Sequence, residues 1–349
     1  MSLEFEKFKD RYQKVPVEEF PNRVEEAVPD PVVSIHVSTY QHADFIRDCL
    51  DGVLMQETDF PFEIIVGEDE SDDGTREICK KYAEENPNKI RLFLHRRENN
   101  ISVRGKPTGK FQLIYSHFIS RGKYIAICEG DDYWTDPNKL KKQVGFLEEN
   151  HEYVLTHHNA KKVNGKGELL SESKLPKRSK KDFTKKGLQK GPFILTLSLC
   201  FRNKIDKYPE EFFSVINEDK FLVSMLGRWG KGKYQEEVKR AVYREHTSGI
   251  WGKSPSEKRS IELMETFESL ESYHHKKGSK EVKKHFSKRK KDANKSTCLR
   301  LISAGKYKHF AKYYKKTIFK NGYKIGIYEH LFFFLRIVNH IIKKKLLSS

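Results

Sequence analysis

Between Pro31 and Asp132 the chain alternates short apolar runs of strand period with longer runs of helical period, and each apolar run ends in polar residues. In PVVSIHVSTY, Val33, Ile35 and Val37 alternate with Ser34, His36 and Ser38, the two-residue period of a strand. Residues 44–55 read as a helix, with Phe45, Ile46, Cys49, Leu50 and Val53 on one stripe. FEIIVGED is a second strand; it runs into the turn ESDDGT and a helix that starts near Thr75. KIRLFLH is a third strand, 110–120 is helical, Gly122 ends that helix, and KYIAICEGDD is a fourth strand. This order predicts an α/β domain with a largely parallel sheet flanked by helices. Such sheets bind ligands beyond the carboxyl ends of their strands. Thr39-Tyr40, Glu68-Asp69 and Glu129 to Asp132 are therefore expected to converge at one rim.

Downstream, TDPNKLKKQVGFLEEN predicts a helix capped by Thr135 or Asp136, with Pro137 in its first turn. Residues 169–190, rich in Lys and Ser, read as a mobile loop, and PFILTLSLCF as a buried strand. Residues 217–228 read as a helix with Phe221, Leu222, Met225 and Leu226 inward, and VKRAVYREHTSGIW closes the body. Residues 1–30 read as an extension, a short helix followed by a link containing Pro21 and Pro29.

Charge divides the chain further. The net charge is +18, yet residues 252–349 hold 25 Lys+Arg against 8 Asp+Glu, while residues 1–251 hold 42 against 41. A balanced body thus precedes a basic, mainly helical tail. The five cysteines are widely spaced with no CxxC pair, which argues for reduced thiols in a cytosolic setting rather than a disulfide scaffold. The polar start lacks the apolar core of a signal peptide, and no run reaches the roughly 18 apolar residues of a membrane span.

Four segments carry the candidate chemistry. In Glu129-Gly130-Asp131-Asp132 an apolar strand delivers three carboxylates to its end. Clustered carboxylates repel unless a cation offsets them, and Mg²⁺ or Mn²⁺ favours one or two carboxylates together with phosphate oxygens. A solvated turn capping the next helix fits the same spacing, so both readings stay open. Asp69, just past a strand, is placed to accept from a base N–H; Asp72, Asp73 and Thr75 fit a turn and helix cap. Glu218 and Asp219 open a helix, where an acid either satisfies the helix dipole or serves as a general base. Arg244 and His246, two apart in a strand, point to one side and suit a diphosphate, with His246 also a candidate metal ligand.

In order and spacing, VSIHVSTYQHADFI, EIIVGEDESDDGT, GKYIAICEGDDYWTDPNKLKKQ, NEDKFLV and YREHTSGIW resemble the bacterial family-two glycosyltransferases of the GT-A fold. The resemblance spans about two thirds of the chain, and CEGDDYW is its one specific motif. It implies a GT-A domain over 31–251, with a nucleotide-sugar-binding part (31–135) and an acceptor part (136–251). Thr39 and Tyr40 would border the nucleotide, and Asp69 would read its base, uracil. Glu129-x-Asp131 takes the place of the family's Asp-x-Asp, with Glu129 facing the ribose, Asp131 the metal and Asp132 the sugar or metal. Asp219, with Glu218 beside it, would be the base, and Arg244 and His246 would meet the diphosphate. Glu129 is one methylene longer than the family's acid.

The implied reaction is inverting, metal-dependent transfer from a nucleoside-diphosphate sugar, a UDP-sugar, to a hydroxyl of a glycan or lipid-linked acceptor in cell-envelope polysaccharide synthesis. In the tail, Leu331, Phe334, Leu335, Ile337, Val338, Ile341 and Ile342 form one helical stripe, with Arg336, Asn339, His340, Lys343 and Lys344 opposite. That pattern implies an interfacial helix, and contact of residues 283–349 with an anionic membrane surface. The expected place is cytoplasmic, peripheral on the inner face of the plasma membrane; the alternative for the tail is a helical subdomain packed on the body. Competing functions are a nucleotidyltransferase, an inactive sugar-binding relative, and a nucleic-acid-binding protein using the tail. The first lacks a basic phosphate loop after the first strand. Nucleic acid is not expected, because the tail has no recognisable module and an acidic rim opposes polyanions.

Overall fold

The computed structural model describes residues 2–246, 256–320 and 332–339. The chain forms two compact units, Met1–Gly252 and Lys253–Ser349.

The first unit is built on an eight-stranded sheet in the order Lys231–Tyr234, Tyr153–His157, Cys200–Arg202, Tyr124–Glu129, Val33–Thr39, Phe62–Glu68, Ile90–Leu94, Glu18–Glu19. The four strands from Tyr124–Glu129 to Ile90–Leu94 are mutually parallel. Their residues are buried along almost their whole length, as a sheet with helices on both faces requires. The helices Ile46–Leu54, Thr75–Glu85, Lys110–Phe118 and Lys139–Glu149 supply that cover. Ile35, Val37, Ile64, Val66, Leu92 and Ala126 form the centre of the core with Trp134. Each fully buried Ile or Leu stabilises the fold by roughly 1.5–3 kcal/mol. Register fixes the rim: Ser38 pairs with Glu129 and Thr39 with Glu68, so the carboxyl ends of three strands lie level. The expected mixed, mainly parallel α/β architecture is the one observed.

Several expectations need correction. Residues 1–30 are stitched to the body rather than extending from it. Glu18–Glu19 pairs with Phe93 and Leu94, Ser2–Leu3 pairs with Tyr208–Pro209, and fully buried Phe8 stacks on Phe111. Residues 169–190 are not a featureless loop: they hold the strand Leu169–Ser171 and the helix Lys185–Gln189, pinned by buried Leu175, Phe183 and Leu188. Within PFILTLSLCF only Cys200 and Phe201 belong to a strand, Cys200–Arg202, and Thr196–Ser198 is a 3₁₀ turn. Side chains replace the missing ladder there, since Trp134 Nε1–H donates to the Leu197 carbonyl (2.8 Å) and Gln143 Nε2–H to that of Ser198 (3.0 Å). The helix after the acidic cluster starts at Lys139, past Pro137, with Asn138 at its cap. Asp136 instead accepts from the Asn138 and Lys239 amides and pairs with Lys142.

A smaller sheet, Leu169–Ser171, Ala160–Asn164 and Ala241–Glu245, carries the last strand of the body. Tyr133 and Val242 exchange backbone hydrogen bonds (3.1 and 2.9 Å), tying that strand to the segment after the acidic cluster. Thr247 to Trp251, the end of the YREHTSGIW motif, lie outside the described residues. All five cysteines are free and buried.

The second unit contains the helices Ser256–Lys277, Lys280–Ser303 and Tyr307–Lys320. Cys298, Leu301, Ile302, Phe310 and Phe333 form its small core. Phe334 and Leu335 are exposed, while Leu331, Ile341 and Ile342 of the expected stripe lie outside the described residues. Among the described residues no helix is long and apolar enough to cross a membrane.

Candidate active site

The Tyr124–Glu129 strand ends beside Val33–Thr39, and the Gly130 amide continues the ladder by donating to the Ser38 carbonyl (2.9 Å). A side chain at Gly130 would strike Thr39, its Cβ only 2.6 Å from Oγ1, and would come within 3.0 Å of His42 Nδ1. The glycine thus makes room for protein side chains.

Beyond it the chain turns into Asp131. His246 Nε2 lies 2.8 Å from Asp131 Oδ2, and His42 Nε2 lies 4.0 Å from the same oxygen. Burial works to raise the Asp131 pKa, but the His246 hydrogen bond and the charges of His42 and His246 hold it below the ordinary value. Burial lowers His42 and favours its neutral imidazole, the form that ligates metals. Glu129 is pushed up to about 8, by burial first and then by Asp131, and its Oε2 is buried with no hydrogen-bond partner. The His-Asp-His group is a donor set that fits a divalent cation, and the orphaned Glu129 oxygen beside it is left for a polar atom of a ligand.

Asp132 has a different task. It is buried, and its Oδ1 accepts the Arg244 amide at 2.8 Å, locking the Ala241–Glu245 strand onto the cluster. Burial, with Asp131 and Glu129 adding, places its pKa well above the ordinary value. The Arg244 guanidinium lies over the Phe45 and Tyr133 rings, donates to Asp48 Oδ2 (2.6 Å) and to the Asp131 carbonyl (3.2 Å), and keeps a buried Nε without a partner.

One strand away, the Asp69 amide donates to the Thr39 carbonyl (3.1 Å). Asp69 Oδ2 accepts from Asn100 Nδ2 (2.8 Å) and Arg97 Nη1 (3.2 Å), whereas its buried Oδ1 has no partner. Burial raises its pKa to about 6. The Arg97 guanidinium lies 3.8 Å from the centre of the half-exposed Tyr40 ring.

Glu218 and Asp219 open the Glu218–Leu226 helix and have different surroundings. Glu218 Oε2 pairs with fully buried Lys110 Nζ at 2.5 Å. Asp219 is raised by burial, and its charge is felt at Glu129. The fold therefore gathers Thr39, Glu129, Asp131, Arg244 and His246 at the rim, with Asp219 near Glu129, and sends Glu218 to Lys110. Sequence reasoning missed His42, Asp48, Arg97, Asn100 and Lys110. Of these only His42 left a signal, three residues past a strand end on the same rim.

The sequence model of Glycosyl transferase family 2 matches residues 34–208. The chain belongs to this family. The matched segment contains Asp69 and the Glu129–Asp132 cluster, and Asp219, Arg244 and His246 follow it. Uncharacterized protein Rv1520 of Mycobacterium tuberculosis is 34% identical over 230 residues, 66% of this chain and 63% of that protein, so the chain spans less than two thirds of that relative. The poly(ribitol-phosphate) beta-N-acetylglucosaminyltransferase TarS of Staphylococcus aureus is 32% identical over 137 residues, 38% of this chain and 22% of TarS. Among solved structures, the mannosyltransferase PcManGT from Pyrobaculum calidifontis, in complex with GDP-Man and Mn²⁺, superposes with a TM-score of 0.51 at 16% identity, over 96% of this chain and 91% of that one. At that identity the likeness establishes the GT-A fold.

Proposed function

We propose that this family-two member is an inverting glycosyltransferase that moves a sugar from a UDP-sugar to a hydroxyl of a glycan or lipid-linked acceptor. The observation that carries the reading is the convergence at one sheet rim of Asp131, His246 and Arg244 with a partnerless Glu129 oxygen. Asp131 and His246 would hold Mg²⁺ or Mn²⁺, which supplies charge compensation for the leaving diphosphate. Arg244 adds a fixed positive charge beside it. Asp69 keeps one carboxylate oxygen for the N–H of a uracil, Tyr40 and Thr39 border the nucleotide, and Glu129 faces the ribose. Asp132, buried behind the cluster, would act near the sugar or the metal through the strand it anchors.

Asp219 takes the proton of the acceptor hydroxyl. That oxygen forms the bond to the anomeric carbon as the carbon–diphosphate bond breaks, and the nucleoside diphosphate leaves. Burial makes Asp219 a stronger base than an exposed aspartate. TarS, by its name, acts on poly(ribitol-phosphate), which supports a polymer hydroxyl as acceptor and a role in cell-envelope polysaccharide synthesis. The basic tail, with exposed Phe334, Leu335 and Arg336, supports cytoplasmic placement against an anionic inner leaflet.

The test is to incubate the protein with several nucleotide sugars and Mn²⁺ and follow free nucleoside diphosphate. Asp131→Ala and Asp219→Ala should each abolish turnover, and only Asp131→Ala should weaken metal-dependent donor binding in calorimetry. Equal donor affinity in Asp131→Ala removes the metal assignment. Binding without turnover for every donor and acceptor tried points to a sugar-binding relative instead.

A further inference from the structure

Among the described residues one group of His and Asp side chains is spaced for a metal ion: His42, Asp131 and His246, whose ligand atoms lie within 4.8 Å of one another. Two of the three are the metal ligands proposed above; His42 is not.

Its position is built before any ion arrives. Gln41 adopts a left-handed backbone (φ 55), a conformation that non-glycine residues visit rarely and at a cost on the order of 1 kcal/mol. The Gln41 amide donates to Ser71 Oγ (2.9 Å), the His42 amide donates to Thr75 Oγ1 (2.8 Å), and the His42 carbonyl accepts from Phe45 and Ile46 (2.8 Å each). The turn into the Ile46–Leu54 helix is thereby fixed with the imidazole over Gly130, where only a hydrogen leaves room for it. Nδ1 lies 3.2 Å from Thr39 Oγ1, so a proton on Nδ1 has an acceptor and Nε2 is left as the lone-pair nitrogen facing Asp131. That is how metal-bound histidines are ordinarily held, with the second ring nitrogen bonded to a neighbour that fixes tautomer and orientation. The His42 and His246 rings stand edge to face with centroids 5.9 Å apart, and the Nε2 of each faces Asp131 Oδ2, at 4.0 and 2.8 Å.

We propose that His42 is a third protein ligand, and that the resulting two-imidazole, one-carboxylate set makes this site select Mn²⁺ over Mg²⁺. The inference rests on the metal reading of the preceding section. Mg²⁺ binds through oxygen and gives up water reluctantly, whereas imidazole nitrogen favours transition-metal ions. A site with one carboxylate and one imidazole leaves that choice nearly open; a second imidazole tips it.

The experiment uses the full chain without donor. Pulsed electron paramagnetic resonance on the Mn²⁺-loaded protein counts histidine nitrogens bound to the ion, and calorimetry compares Mn²⁺ with Mg²⁺ in wild type, His42→Ala, His42→Gln and Asp131→Ala. Two nitrogens are expected in wild type and one in His42→Ala. Mn²⁺ affinity should fall about tenfold or more in both His42 variants while Mg²⁺ affinity moves less than about threefold. A single nitrogen in wild type, or an unchanged Mn²⁺/Mg²⁺ ratio in the His42 variants, overturns the proposal. If Asp131→Ala loses Mn²⁺ and the His42 variants do not, this inference alone falls; if Asp131→Ala binds as wild type does, the metal reading falls with it. Should the His42 variants lose their fold by circular dichroism, the wild-type nitrogen count decides.

Discussion

The ammonium of Lys110, wholly buried on the Lys110–Phe118 helix, lies 2.5 Å from the carboxylate of Glu218 at the start of the Glu218–Leu226 helix. This pairing gives Glu218 a partner apart from its neighbour Asp219, the proposed base. Removing Glu218 strands a buried cation, and Glu218→Gln should cost about 2–3 kcal/mol, below the range for a fully buried pair because Glu218 keeps 26% exposure. Asp219→Asn should leave the melting temperature within a few degrees and cut kcat about 100-fold or more. Thermal melts and donor turnover on the two variants check both halves.

Asp69 should make stability and donor affinity respond to pH in opposite directions. Its pKa is raised from 3.8 to about 6, so folding takes up a proton in that window. The native state then holds more protons than the unfolded chain, and stability falls as pH rises from about 4 to 6. Acceptance of a base N–H needs the ionised carboxylate, so uridine-nucleotide affinity should rise over the same interval. Asp69→Asn should flatten both trends, stabilise the free protein and weaken UDP binding about tenfold or more. Urea titrations and calorimetry at pH 4.5 and 7 suffice; parallel trends in the variant and wild type would exclude Asp69 as the source.

Asp132 should prove to act through the strand it holds. Asp132→Asn keeps an oxygen for the Arg244 amide and should cost less than about 1 kcal/mol. Asp132→Ala leaves that amide without its acceptor and should cost about 1–3 kcal/mol, with loss of turnover as Arg244 and His246 drift from Asp131. Denaturant unfolding separates the variants, and a severe defect in the Asn form would show that the carboxylate charge itself matters.

Gly130→Ala should act on the cation before it acts on the fold. The new Cβ would meet Thr39 Oγ1 at 2.6 Å and His42 Nδ1 at 3.0 Å, so the imidazole must move. The expected outcome is a Mn²⁺ affinity about tenfold weaker, with the circular dichroism spectrum retained.

The parallel core was legible because its strands are short apolar runs with polar ends, and that pattern is local. Cys200–Arg202 was harder to place: it inserts antiparallel between Tyr124–Glu129 and Tyr153–His157, an order that no local period encodes. The turn at Thr196–Ser198 escaped notice because Trp134 and Gln143, distant in sequence, supply its hydrogen bonds. The site divides in the same way. Asp131 and His246 were readable as residues of the right type, since acid clusters and late His-containing strands stand out in composition. His42 left only its place past a strand end and Lys110 left nothing, because one owes its placement to a left-handed turn and the other to an ion pair across 108 residues.

His246 follows its partner Asp131 by 115 residues. During synthesis the carboxylates of the rim therefore leave the ribosome long before this histidine, which directly follows the strand Ala241–Glu245. A chain cut short between Tyr234 and His246 holds all eight strands of the central sheet but lacks one member of the His42, Asp131 and His246 group. On the proposed metal reading such a fragment should fold its central sheet and still fail to hold the cation, so completion of the site waits for the end of the body.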